Sequence, residues 1–156
     1  MLFRSISVSY FVMLSSTELN WLSYAVDECE LASHSQWRVG AVIVKSGRVL
    51  STGVNRYRNS PDQVDLAGVS YHAEEVAIRK AGDVRGATIY VGRITRSGRI
   101  GSAKPCARCQ ELLLENGLST AIWTEPHGWG KSRVIRLEEY VGISRHATEK
   151  HPLISR

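Results

Sequence analysis

Two short segments constrain this chain more than anything else in it: His72-Ala73-Glu74, and Pro105-Cys106-Ala107-Arg108-Cys109 some thirty residues later. Cys106 and Cys109 stand three apart and so share a face if the segment is helical. Pro105 before them suits a first helical position, where its fixed φ and missing N–H cost nothing. One imidazole and two thiolates make three protein ligands for Zn²⁺ and leave the fourth tetrahedral position open, the pattern of a catalytic rather than a structural zinc. Glu74 lies too close to His72 to serve comfortably as a fourth ligand, but it is well placed to move protons for an activated water. Any fold proposed for the chain must therefore bring two distant segments to one ion.

The rest of the sequence supplies such a fold. Leu19, Leu22, Val26 and Cys29 recur at helical spacing and predict a helix over residues 16–32, with Ser15 and Glu18 as its capping box. Val39–Lys45 reads as a strand covered on both faces, Ser46-Gly47 as a tight turn, and Arg48–Val54 as the returning strand, closed by Asn55. His34 and Trp37 fall in the loop before this hairpin, and residues 56–70 form a long polar loop after it. A second helix runs from His72 to Ala81, a third strand from Ala87 to Thr95, and a third helix from Pro105 to Asn116, stopped by Gly117. Thr120–Thr124 and Arg133–Leu137 complete five strands. This order implies a mixed sheet with helices against it, an α/β sandwich. Crossover helices between parallel strands begin along one edge of the sheet, so His72 and the two cysteines should converge there.

Composition narrows the setting. A chain of 156 residues is the size of one domain, and 43% hydrophobic with 22% charged residues is ordinary for a globular protein. Of the three cysteines, two are taken by the metal motif, and Cys29 on an apolar helix face reads as a buried structural thiol. No disulfide framework is suggested, which fits a cytoplasmic setting. The apolar run Ile6–Leu14 is too short to span a bilayer, so no membrane association is expected. The simplest account of residues 1–14 is an N-terminal extension, with translation beginning at Met13. Residues 15–137 then form the functional domain and 138–156 a partly helical tail. A net charge of +5 suits phosphate-bearing ligands, from a mononucleotide to a nucleic acid strand, without choosing between them.

The paired motifs, H-x-E followed by P-C-x-x-C, resemble the zinc-dependent cytidine/deoxycytidylate deaminase superfamily from about Val39 to Thr124. The resemblance implies a three-layer αβα sandwich with a mixed five-stranded sheet, and one Zn²⁺ per chain on His72, Cys106 and Cys109. It implies that Glu74 passes a proton from water to the ring and then to the departing amine, converting cytosine to uracil with loss of ammonia. It also implies that Asn55 meets a sugar hydroxyl, that Ala73 reads the base edge through its backbone, and that Val39 and Trp37 lie near the base. Trp37 reads equally as a core residue.

Histidine as first ligand resembles deoxycytidylate, tRNA and nucleic-acid-editing members of the superfamily. The short stretch Glu125–Ser132 between the last strands cannot hold a crossover helix, so that pair should be antiparallel, which resembles members acting on free nucleosides or nucleotides. The expected partner is a free cytosine nucleoside or nucleotide, with Arg56, Arg58, Arg96, Arg99 and Lys104 as candidates to meet a phosphate. Editing of cytosine or adenine in a single-stranded nucleic acid is the rival enzymatic reading, and a non-catalytic zinc-binding interaction module the third. The family resemblance further implies a homo-oligomer.

Overall fold

The computed structural model describes residues 13–32, 37–57, 70–139 and 153. The first twelve residues of the expected extension, His34, most of the 56–70 loop with Arg58, His146, His151 and all of the tail after residue 139 except Leu153 lie outside them. Among the described residues no helix is long and apolar enough to cross a membrane.

Helix α1 (Ser16–Glu28) starts from the predicted capping box: the Ser15 hydroxyl accepts the Glu18 N–H at 3.1 Å, and a Glu18 carboxylate oxygen accepts the Ser15 N–H at 2.9 Å. Together they satisfy two N–H groups that the helix leaves unpaired. Past Glu28 the chain tightens into a 3₁₀ turn (Cys29–Leu31). The Cys29 thiol is fully buried there and donates to the Gly92 carbonyl at 3.4 Å. Burial pushes its pKa up to about 12, so it stays an unreactive packing group.

Strands β1 (Trp37–Lys45) and β2 (Arg48–Val54) form the expected hairpin. Its turn needs positive φ at both central residues, 53° at Ser46 and 74° at Gly47. Trp37 belongs to β1 rather than to the preceding loop, because β1 continues its ladder on β5 out to the pair Trp37–Thr95. A two-stranded ribbon, β3 (Arg56–Tyr57) and β4 (Ser70–Tyr71), follows. Then come α2 (Ala73–Ala81), β5 (Thr88–Thr95), α3 (Ala107–Glu115), β6 (Thr120–Glu125) and β7 (Gly128–Arg133).

The main sheet is mixed and five-stranded, in the order β2-β1-β5-β6-β7, with β5 and β6 parallel and the other neighbours antiparallel. Two successive antiparallel pairings make β2 parallel to β5, so α2 crosses over β1 as α3 crosses from β5 to β6. Alternation along the strands separates two cores. Ala41, Ile43, Ile89, Val91, Ala121 and Trp123 pack with α2, α3 and a 3₁₀ helix at Val134–Glu139. Val42, Val44, Tyr90 and Ile122 pack against Leu22, Ala25 and Val26 of α1. Full burial of a residue such as Leu22 is worth roughly 1.5–3 kcal/mol. This is the expected three-layer αβα sandwich.

The last strand departs from expectation. It occupies Gly128–Arg133, not Arg133–Leu137, and follows a two-residue turn at Pro126-His127. Its sequence, G-W-G-K-S-R, has little strand propensity, and pairing with β6 holds it in place. Gly130 lies against the Trp123 ring, where a β-carbon would collide. Val134 and Leu137, read from sequence as strand residues, are spaced for a 3₁₀ turn and are both buried. The antiparallel sense of the pair is as expected.

Candidate metal centre and active site

Helices α2 and α3 each open on a candidate ligand. His72 is the N-cap of α2 and Cys106 the N-cap of α3, both extended, with ψ of 152° and 169°. Pro105 therefore stands one residue before the cap, outside the helix. The His72 side chain makes no cap hydrogen bond with its own helix, and both cap residues line the cavity in front. Because β2 and β5 run parallel, the two helix starts meet beyond the same sheet edge, which solves the problem posed by ligands 34 residues apart.

The distances fit one tetrahedral ion. His72 Nδ1 lies 3.6 Å from Cys106 Sγ and 3.3 Å from Cys109 Sγ. A tetrahedral zinc with ordinary Zn–N and Zn–S bonds would set this edge at about 3.6 Å. All three donor atoms fall within 4.8 Å of one another. The donor set is also chemically primed. Contact with the Cys109 thiol, then with His72, lowers Cys106 to about 3, favouring its thiolate. Contact with Cys106, reinforced by burial, raises Cys109. His72 is raised by Cys106 against the opposing effect of burial. The protons held by this cluster are those that a bound cation displaces.

Glu74, in the first turn of α2, is 5% exposed, and burial pushes its carboxyl above the ordinary range. It lines a cavity of about 340 Å³ with His72, Ala73 and Cys106, while Val39 and Asn55 form another part of the wall. Cys109 is fully buried and does not line the cavity. Asn55 is buried and fixed to the strand: its Oδ1 accepts the Val39 N–H at 2.8 Å, and its own N–H donates to the Val39 carbonyl at 3.2 Å. The side chain of Trp37 lies outside the described residues.

Of the basic residues singled out by sequence, Lys104 reaches the cavity. Arg56, Arg96 and Arg99 are exposed and do not line it. Arg93, Ser102 and Ala103 line the cavity without having been expected there. An available signal for Arg93 was its place near the C-terminal end of an otherwise apolar strand, where open α/β sheets present ligand-binding groups. Its guanidinium donates to the Ser102 carbonyl at 3.4 Å, fastening the strand end to the segment that leads into Cys106.

A mixed sheet that brings one imidazole and two cysteine sulfurs together from two helix starts, beside a buried carboxylate and a small cavity, defines a zinc-binding α/β fold. The chain belongs to the cytidine and deoxycytidylate deaminase family, whose zinc-binding region matches residues 15–125. No curated protein matches the chain in sequence. Among solved structures it is similar to the cytidine deaminase of Burkholderia pseudomallei, at 23% identity over 80% of this chain and 96% of that one, with a TM-score of 0.60. The apo dCMP deaminase of the cyanophage S-TIM5 is 18% identical over 72% and 86%, with a TM-score of 0.57. The cytidine deaminase of Mycobacterium tuberculosis is 25% identical over 76% and 91%, with a TM-score of 0.53. These neighbours include both nucleoside- and nucleotide-named enzymes, so the substrate has to be argued from the cavity.

Proposed function

We propose that this protein hydrolyses the exocyclic amine of a free cytosine nucleoside or nucleotide: water adds at C4, the C4–N bond breaks, and ammonia leaves the uracil product. The observation that carries the reading is Glu74, buried in the cavity wall beside the three donor atoms. Zinc held by His72, Cys106 and Cys109 supplies a Lewis acid that activates water near neutral pH. Glu74 takes one proton of the attacking water and gives it to the ring nitrogen, then takes the second from the hydroxyl added at C4 and gives it to the amine, which leaves poorly unless protonated. Its raised pKa suits a group that must both accept and donate. Asn55, locked by its two contacts with Val39, orients the sugar, and the Ala73 backbone at the start of α2 reads the base edge.

The cavity volume falls at the lower end of the range for small-molecule sites, about 300–1,000 Å³. Arg93 and Lys104 in its wall give a 5′-phosphate two cations to meet, which favours the nucleotide over the nucleoside. The antiparallel β6–β7 pair supports a free rather than a polymeric substrate, by the likeness to nucleoside- and nucleotide-acting members. The test is ammonia release from cytidine, deoxycytidine, CMP, dCMP, adenosine and a short single strand, run side by side with bound metal quantified. Turnover of a cytosine mononucleotide is expected. Activity confined to the oligonucleotide or to adenosine would overturn the reading.

A further inference from the structure

Glu75 has no part in the chemistry above, yet it is as buried as Glu74. Its side chain is 6% exposed, while Arg108 and Arg79, both pairing with it, are at least half exposed. One carboxylate oxygen, Oε2, accepts from Arg108 Nη2 at 3.0 Å and from Arg79 Nη2 at 3.1 Å. The other, Oε1, is buried without a hydrogen-bond partner among the described residues. A buried carboxylate with one oxygen unsatisfied is costly, and an apolar side chain of similar size would be cheaper if the position served packing alone.

The location of the partners gives that cost a purpose. Arg108 stands between the two cysteines on the first turn of α3, and Glu75 on the first turn of α2, three residues past His72. The two helices otherwise touch sparsely, each packing chiefly on other elements. The Glu75–Arg108 pair is therefore a direct tie between the two ligand-bearing turns. It also extends further: the Arg79 guanidinium lies 5.0 Å from the centre of the Tyr71 ring, and that of Arg56 5.8 Å from the same ring. Arg56 follows Asn55, Tyr71 precedes His72, and Glu75 follows Glu74. A continuous chain of charged and aromatic contacts thus passes next to Asn55, His72, Glu74 and the two cysteines.

We infer that Glu75 is a positioning residue for the metal centre: by holding Arg108 and Arg79 on one carboxylate oxygen, it sets the spacing between the His72 turn and the Cys106–Cys109 turn. The inference rests on these three residues being the ligands. Outer contacts that orient metal ligands change affinity by about 10- to 100-fold when removed.

The experiment measures zinc affinity by chelator competition, and the visible spectrum of the cobalt-substituted protein, for the full chain and for Glu75→Gln and Arg108→Lys. Glu75→Gln keeps the shape and removes the charge. Arg108→Lys, at a half-exposed position, keeps the charge and removes the planar fork. Both are expected to bind zinc at least tenfold more weakly and to shift the cobalt thiolate spectrum, while the melting midpoint of the metal-free protein moves little. Unchanged affinity and spectrum in Arg108→Lys would overturn the inference, as would a fall in midpoint that is equal in the metal-free and metal-loaded Glu75→Gln protein with affinity intact. Failure of the unsubstituted chain to bind zinc would instead overturn the ligand assignment itself.

Discussion

Asn55 and Val39, sixteen residues apart, hold each other twice: the Val39 N–H donates to Asn55 Oδ1 at 2.8 Å, and the Asn55 N–H donates to the Val39 carbonyl at 3.2 Å. The side-chain contact extends the β1–β2 ladder past its last pair, Gly40–Val54, and fixes the amide against the cavity wall. An Asn55→Ala variant leaves the part-buried Val39 N–H without its acceptor, at a cost of about 1–3 kcal/mol. We expect kcat/KM to fall at least tenfold through loss of the sugar contact. Steady-state kinetics beside a denaturation curve separates the two effects.

Glu74→Gln preserves volume and abolishes proton transfer. General acid–base catalysis contributes typically a hundred- to ten-thousand-fold, and kcat should fall by about that much. Zinc content should stay at one ion per chain. Activity retained in this variant would remove the role assigned to the carboxylate.

Stripping the metal with a chelator should abolish activity, and added zinc should restore it. Zinc should also raise the melting midpoint, because a ligand at a hundred times its dissociation constant stabilises the folded state by about 2.7 kcal/mol. Calorimetric melts across a zinc titration measure this. A midpoint indifferent to zinc would contradict a preformed three-ligand site.

Gly53 on β2 lies directly against the backbone of α2. A β-carbon there would stand 2.5 Å from the Ala73 carbonyl oxygen and 2.6 Å from the Ala77 nitrogen. These are backbone atoms and cannot swing aside, so Gly53→Ala must push the start of α2 outward. Overpacking of this kind costs typically about 1–3 kcal/mol. Because Ala73 adjoins His72, zinc affinity should fall as well, and a chelator competition assay would register it.

At Glu18 partial burial opposes ionisation, but the Lys131 ammonium at 2.7 Å and the bonds with Ser15 outweigh it and hold the carboxyl below its ordinary value. The sign follows from linkage: a depressed folded-state pKa gives stability that is present above the unfolded value, near 4.5, and lost as pH falls through the folded one. Glu18→Gln keeps an acceptor for the Ser15 N–H but loses the ion pair with Lys131, and should therefore be less stable than the native chain at pH 7 by about 0.2–1 kcal/mol. The difference should shrink below pH 4.5, as urea melts at several pH values would record.

The metal-ligating triad, the capping box at Ser15, the Ser46-Gly47 hairpin and the antiparallel final pair were all legible in the chain, because each rests on a paired motif, on local spacing or on a loop too short to allow an alternative. The β7 segment was not, since G-W-G-K-S-R carries no periodic pattern and becomes a strand only through its ladder with β6. Arg93 and Ser102 in the cavity wall, the placement of Arg96 and Arg99 away from it, and the Glu75–Arg108 tie depend on contacts between segments distant in sequence. Spacing along a chain fixes which residues can share a turn or a face. Which turns come to face one another is decided by the strand order β2-β1-β5-β6-β7 and by close backbone packing such as that of α2 on Gly53. The sequence by itself therefore determined the chemistry of the donor atoms, and only the tertiary structure decided what holds them together and what stands opposite them in the cavity.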